Sequence, residues 1–307
     1  HHDIWDYDVP SQPTLVDLTL AGERRKAVIV PTKRGEVFVL DRETGELLTD
    51  VTEREVPQTD LDNEWSSPTQ PFSTGMPSFA YPLITESKMM GVTPFDQIAC
   101  RKALLALRYE GPMTPPSERG TLLYPGPGGG MNWGSVAVDE RRQLMVVNNM
   151  HLPFTIHMIS REEDPATGGE GYTRGYGIGG QQRGTPFSAR VNMFSSPLGI
   201  PCIQPPYGEI AVVDLTSQEI IWRRPLGTAA ISLNGARIGV PLEMGSPYSA
   251  GSIVTGSGLI FIGGVMDGYM RAIDLFSGEE LFADPLHAPS SATPVSYTHL
   301  TLPTTVF

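Results

Sequence analysis

The sequence predicts an all-β chain built from propeller-like blades, and three observations predict it. A Gly…Asp…Glu pattern occurs three times, with Gly six positions before Asp and Glu five positions after it. Gly and Pro occupy 33 and 28 of 307 positions, which favours many short elements joined by turns over long helices. No apolar run approaches the ~18–20 residues of a membrane helix. The longest, Ala27–Pro31 and Leu259–Val265, are strand-sized.

The first copy of the pattern is Gly35…Asp41…Glu46, the second Gly208…Asp214…Glu219 and the third Gly268…Asp274…Glu279. Each reads as a five-residue strand ending at an Asp whose carboxylate accepts turn amides. Gly or Gln then closes the turn and a second strand follows. Upstream strands at Ala27–Thr32 and Leu259–Gly263 complete three quarters of a blade in the first and third copies. The copies start 173 and 60 residues apart, so loops and at least one divergent blade are expected between them. Asp50–Pro82 reads as loop, because Pro57, Pro68, Pro71, Pro77 and Pro82 block regular ladders. Phe95–Leu107 is the best helix candidate. Ser135–Asp139 and Leu144–Asn148 form a hairpin around Glu140–Gln143, and the Gly-rich stretch Arg161–Arg190 reads as a long surface loop.

Lys plus Arg is 22 against 34 for Asp plus Glu, a formal charge of −12. That balance argues against a nucleic-acid partner, whose phosphates draw on clustered cations. The start lacks a basic head and apolar stretch, so it is no signal peptide. It also lacks an initiating Met, which reads as a fragment. Cys100 and Cys202 fit no CxxC spacing, and the sequence favours two separately buried thiols over a periplasmic disulfide.

Several motifs yield to plainer readings. Gly175–Gly180 matches GxGxxG, but no strand precedes it and no amphipathic helix follows, so it reads as flexible loop. Pro125–Gly130 lacks the Gly-Lys-Ser/Thr of a phosphate cradle and reads as a turn. His151 and His157 lack a zinc-pair spacing. The segment Asp3–Pro10 is different, holding three carboxylates and two aromatics. It is either an exposed acidic loop or a carboxylate held beside apolar rings, where it serves as base or metal ligand. Lys33 lies at a turn between strands, and Asn148 ends the strand from Leu144.

Taken together, Trp5–Leu15, Pro31–Gly35, Pro68–Phe72, Phe95–Gln97 with Cys100-Arg101, Arg108–Gly111 with Thr114–Pro116, Ser196–Cys202 and Asp267–Tyr269 resemble the membrane-bound quinoprotein dehydrogenases. These are the glucose/quinate/shikimate group, which use pyrroloquinoline quinone (PQQ). Gly75–Ser78, Gly129–Gly134 and Leu198–Cys202 look more like the quinate/shikimate type. The resemblance implies a partial eight-bladed β-propeller over residues 1–297, with 298–307 a non-native tail. It implies PQQ and a divalent cation, Ca²⁺ or Mg²⁺, near the axis. It also implies a polyol-like ring substrate, ubiquinone as electron acceptor, and membrane helices ahead of the propeller at the periplasmic face of the inner membrane. Matched by position, Asp6 is the catalytic base, Lys33 lies beside the quinone oxygens and Asn148 lies near the cofactor, while no metal ligand is assigned. Asp6-Tyr7-Asp8 shares the Asp-x-Asp spacing of lanthanide-using alcohol dehydrogenases, which leaves the metal open; Asp267 reads as structural. The missing blades imply that these residues alone bind PQQ poorly. The rival reading is a non-catalytic propeller scaffold. Asp6, Lys33 and Asn148 converging on one channel mouth is the expectation that separates the two, with Asp6 and Lys33 flanking a common cavity.

Overall fold

The computed structural model describes residues 1–81, 83–163, 182, 184–233, 236–247, 250–263 and 265–296. The GxGxxG stretch and the 298–307 tail lie outside the described residues. Blade one contains β1 (Thr14–Leu20), β2 (Glu23–Pro31) and β3 (Val37–Asp41), paired antiparallel in chain order. Beyond β3 a single bridge pairs Leu40 with Leu47. Its first turn, Ala21-Gly22, takes positive φ at both residues, the geometry that matches the twist of a tight hairpin.

The chain then leaves the blade through β4 (Val51–Glu55), β5 (Thr69–Ser73), helix α1 (Pro94–Ala106) and β6 (Thr121–Leu123). It enters the second blade as β7 (Ala137–Asp139) and β8 (Leu144–Met150), then departs again as β9 (Phe154–Ser160) and β10 (Phe187–Met193). It returns to finish that blade with β11 (Gly208–Asp214) and β12 (Glu219–Pro225). A hairpin, β13 (Ile231–Leu233) with β14 (Ala236–Ile238), precedes the third blade. That blade is β15 (Ser252–Val254), β16 (Leu259–Ile262), β17 (Tyr269–Asp274) and β18 (Glu280–Pro285).

The second blade has the order β12-β11-β8-β7, so the hairpin at Leu144 and the repeat at Gly208 belong to one sheet. This corrects the expectation of a divergent blade between the first and second copies. What separates them is an excursion, carrying its own sheet β10-β9-β6. Two loop readings are also corrected. β4 pairs with β5 inside Asp50–Pro82, with Pro71 opposite Glu53. The loop expected at Arg161–Arg190 lies largely outside the described residues, and its end, from Phe187 to Arg190, belongs to strand β10.

The second blade is sandwiched between its neighbours, which explains its unbroken apolar runs. Met145, Val147, Ala211 and Val213 pack on blade one with Ile29, Val37 and Val39. Their chain neighbours Leu144, Val146, Ile210 and Val212 face the other way, onto Ile260, Ile262 and Ile273 of blade three. A strand buried on both faces needs apolar residues at every position, not at alternate ones.

The repeated turn holds in all three copies. Asp41 Oδ1 accepts the amides of Glu43 and Thr44 at 2.9 and 3.1 Å. Asp214 accepts those of Thr216 and Ser217, and Asp274 those of Phe276 and Ser277. Gly45, Gln218 and Gly278 close the turns at φ +79°, +61° and +73°. The donated amides hold the Asp41 and Asp274 carboxyls below their usual range. Asp139 makes the same turn between β7 and β8, accepting from Arg141 and Arg142.

The excursion has a separate apolar core of Ile84, Met89, Leu104, Leu122, Phe194 and Ile203. Helix α1 starts at Pro94, with Thr93 Oγ1 capping the Asp96 amide at 3.2 Å. Cys100 of α1 is disulfide-bonded to Cys202, their Cα atoms 5.4 Å apart. The expected pair of separate thiols is therefore wrong. Burial alone suits either state, and only the return of the chain to α1 brings the two sulfurs together.

Candidate active site

The acidic N-terminal segment is neither a free loop nor a strand. Asp3 accepts the amides of Trp5 and Tyr7 at 2.9 and 2.8 Å, which curls the backbone around its carboxylate. Trp5 is buried, its indole N–H bonded to the Thr114 carbonyl at 3.0 Å, and the Tyr7 hydroxyl donates to the Pro125 carbonyl at 2.6 Å. Two aromatic anchors pointing inward turn the residue between them outward. Asp6 sits there at φ +67°, a left-handed conformation uncommon outside glycine and least unfavourable for Asn and Asp.

Lys33 comes from the tight turn between β2 and β3, where the Gly35 amide donates to Thr32 at 3.0 Å. Gly35 has φ +77°, and a Cβ there would fall 2.8 Å from the Phe79 carbonyl carbon, so no larger residue fits. The stem of Lys33 lies on the Gly129-Gly130 backbone, whose Gly130 amide donates to the Lys33 carbonyl at 2.6 Å. A Cβ on Gly129 would meet the Lys33 Cβ at 2.5 Å. The lysine is thus 6 % exposed, yet its ammonium meets carboxylates. It donates to Asp6 Oδ2 at 3.2 Å, to the Asp6 carbonyl at 2.9 Å and to Asp8 Oδ1 at 2.5 Å.

Asp6 and Lys33 are therefore in direct contact, where the sequence reading set them on two sides of one cavity. Their chain neighbours Tyr7 and Arg34 line a cavity of about 620 Å³ together with Glu36, Arg54, Phe72 and Tyr124. Burial pushes the Glu36 carboxyl up to about 7, against the opposing pull of Arg34 and Arg54. Asn148 is not joined to either residue. Its Nδ2 donates to the Ala250 carbonyl at 3.0 Å, and its buried Oδ1 has no hydrogen-bond partner.

Asn149 faces the opposite side of β8, where its Nδ2 donates to the Phe79 carbonyl at 3.1 Å. Nearby, Glu209 is buried against His151 at 2.8 Å and Arg223 at 2.5 Å. Burial alone would raise the Glu209 carboxyl, but His151 and Arg223 outweigh it and hold it below its usual range.

The sequence reading missed three parts of this site. Asp8 is the nearer carboxylate to Lys33, and the Asp-x-Asp spacing was its signal. The glycines read as a plain turn form the floor under Lys33. Arg34 was read only as part of a matching string, although it lines the adjoining cavity.

The donor set suits a planar anionic quinone in part. Lys33 offers an ammonium, whereas the unmatched atom of Asn148 is an oxygen, which accepts a hydrogen bond and suits a donor rather than a quinone oxygen. A divalent cation finds less support: among the described residues no three His, Cys, Asp or Glu side chains converge as a metal site. The described residues thus do not by themselves fit the expected cation.

A family model described as the PQQ-type glucose/ethanol/alcohol dehydrogenase β-propeller domain matches residues 1–301. A probable quinate dehydrogenase (quinone) from Xanthomonas campestris pv. juglandis is 40% identical over 302 residues, 97% of this chain and 38% of the relative. The quinate/shikimate dehydrogenase (quinone) of Acinetobacter baylyi is 39% identical, over 97% of this chain and 37% of its own length. The quinoprotein glucose dehydrogenase of Escherichia coli K12 is also 39% identical, over 97% and 38%. Identities this close do not separate the quinate type from the glucose type. The chain spans less than half the length of each of these relatives. Among solved structures, a quinohemoprotein alcohol dehydrogenase from Comamonas testosteroni superposes with TM-score 0.52 at 20% identity, covering 95% of this chain and 33% of that one. A europium-containing methanol dehydrogenase gives TM-score 0.51 at 20% identity, covering 95% and 38%. At that identity the likeness is one of fold.

Proposed function

The chain belongs to the PQQ-type glucose/ethanol/alcohol dehydrogenase β-propeller family, and from that membership we propose that it forms part of an enzyme oxidising a secondary alcohol on a polyol-like ring. The substrate in this reading is quinate or shikimate in preference to glucose, and the electrons pass on to ubiquinone. The blades belong to an eight-bladed ring. The single observation that carries the reading is the contact of Asp6 with Lys33, whose chain neighbours Tyr7 and Arg34 line a cavity.

Bound PQQ supplies a two-electron acceptor for the hydride. The chain's own residues do the rest. The Asp6 carboxylate, turned outward by its left-handed backbone, accepts the hydroxyl proton as the carbon loses its hydride. Lys33, held on its glycine floor, presents a fixed positive charge that stabilises negative charge developing on a neighbouring oxygen. To do so it gives up one of its three acceptors; with Asp6 needed as the base, that acceptor is Asp8. Asn148, inside β8, orients the cofactor through its unmatched amide oxygen. The Cys100–Cys202 disulfide supports placement on the periplasmic side, since such bonds persist in oxidising compartments. No described helix is long and apolar enough to cross a membrane.

The rival is a propeller used only as an assembly scaffold, because fold alone does not fix function. A scaffold has no need of a buried ammonium gathered onto two carboxylates. Replacing Asp6→Asn in the PQQ-loaded holoenzyme carrying this chain should abolish quinate turnover and spare PQQ binding measured by fluorescence titration. Undiminished turnover would return the scaffold, or another base, to the front.

A further inference from the structure

The cavity beside Asp6 and Lys33 carries a charge pattern that the reaction itself does not require. Arg34 is mostly buried in its wall, its guanidinium 4.3 Å from the Phe72 ring centroid, and Arg54 approaches the same ring at 4.9 Å. One Arg34 nitrogen, Nη1, donates to the Pro71 carbonyl at 2.9 Å. The other, Nη2, lies 2.7 Å from Glu36 Oε2 but out of alignment for a hydrogen bond, and neither buried atom has another hydrogen-bond partner. Two guanidiniums thus face one buried carboxyl, in a chain whose formal charge is −12. A buried guanidinium nitrogen with no aligned hydrogen-bond acceptor persists most readily where a ligand completes it. The hydroxyls of Ser73, Thr74 and Ser78 add neutral polar groups to the wall. Guanidinium is the group best matched to a carboxylate, since its planar fork donates two parallel bonds.

We propose that Arg34 and Arg54 hold the carboxylate of an alicyclic hydroxy-acid substrate in that cavity. The inference rests on the dehydrogenase reading above and deepens it: these two arginines select an acid over a neutral sugar. The cavity is next to the Asp6–Lys33 contact along the chain, since Tyr7 and Arg34 line it and directly follow Asp6 and Lys33, which do not line it themselves. Glu36 tunes the site by sharing Arg34 until the substrate carboxylate arrives. A neutral polyol of the same size finds no partner for the second guanidinium.

The test compares quinate with its uncharged methyl ester in the PQQ-loaded holoenzyme carrying this chain. Arg54 is exposed, so Arg54→Gln leaves the core intact. Arg34→Gln alone would strand Glu36, so the double variant Arg34→Gln/Glu36→Gln keeps the wall neutral and isosteric. In each variant the KM for quinate should rise about tenfold or more, the loss of one charge-assisted contact, while that for the ester moves less than twofold. Calorimetric binding of quinate should weaken in parallel. Equal losses for acid and ester would overturn the assignment, as would an unchanged KM in both variants. A fall in PQQ affinity with unchanged acid–ester discrimination would instead give the arginines to the cofactor's carboxylates and also overturn it. A holoenzyme that binds quinate through Arg34 and Arg54 but turns over no polyol would sink the dehydrogenase reading and leave the carboxylate site standing.

Discussion

The indole N–H of Trp222, on the outer strand of the second blade, donates to the Leu275 carbonyl of the third blade at 2.9 Å. The same ring covers Gly278, where a Cβ would come within 2.9 Å of it. One side chain therefore joins two sheets by a hydrogen bond and by close packing on a turn that must be glycine.

Trp222→Ala should destabilise the protein by about 3 kcal/mol, since it removes a half-buried ring and leaves a gap between blades. Trp222→Phe keeps most of the area and loses the hydrogen bond, which costs about 1 kcal/mol. Urea denaturation midpoints compared across the two variants check the order. Equal losses would mean that packing contributes nothing beyond the bond.

Cys100 and Cys202 close a loop with a sequence separation of 102. Chain entropy assigns about 4–5 kcal/mol to a crosslink of that span. Cys100→Ser/Cys202→Ser should lower the unfolding midpoint by a matching amount, and reductant should shift only the wild type. Hydrogen exchange should show α1 and the segment around Phe194 opening first.

Gly129 and Gly22 have similar positive φ, +68° and +83°, but different surroundings. Around Gly22 nothing lies within 4 Å, so Gly22→Ala should cost only backbone strain, about 1 kcal/mol. Gly129→Ala drives a methyl into the Lys33 stem and should lower PQQ affinity of the holoenzyme as well as stability. PQQ titration of both variants separates a floor for Lys33 from a generic turn.

Glu36 predicts a pH effect whose sign is fixed by its raised carboxyl. In the folded chain it keeps its proton up to about 7, whereas unfolded it releases the proton near the ordinary value of 4.5. The folded state therefore binds more protons between those limits, and stability declines as pH rises through that window. The groups facing it are the cations Arg34 and Arg54, which limit the shift rather than cause it. Melting temperatures of wild type and Glu36→Gln should converge near pH 4 and separate toward pH 8, with the variant the flatter.

The repeat Asp41, Asp214 and Asp274 was legible because each Asp acts within five residues of itself, through amides that its own turn supplies. Helix α1 was legible for the same reason, with Pro94 and the Thr93 cap marking its start. Strand partnership was not. Nothing local says that Leu144–Met150 pairs with Gly208–Asp214, or that Pro71 is tolerated opposite Glu53 in a two-stranded ribbon. Cys100 and Cys202 failed similarly, since burial favours a thiol and a disulfide alike. In the site, Asp6 and Lys33 stood out through resemblance, whereas the direct contact between them depends on the inward anchoring of Trp5 and Tyr7. Asp8 and the Gly129 floor became visible only when loops remote in sequence met.

The pairing of Met150 with Gly208 also constrains how the molecule assembles. The middle of the second blade cannot zip until the whole stretch from His151 to Tyr207 has looped out and returned, an entropic penalty levied before any ladder bond forms. Contacts so distant along the chain form slowly. The hairpins of the first and third blades close over short turns and should mature early, leaving the central blade as the kinetic bottleneck and its β8 edge transiently open to mispairing with another chain.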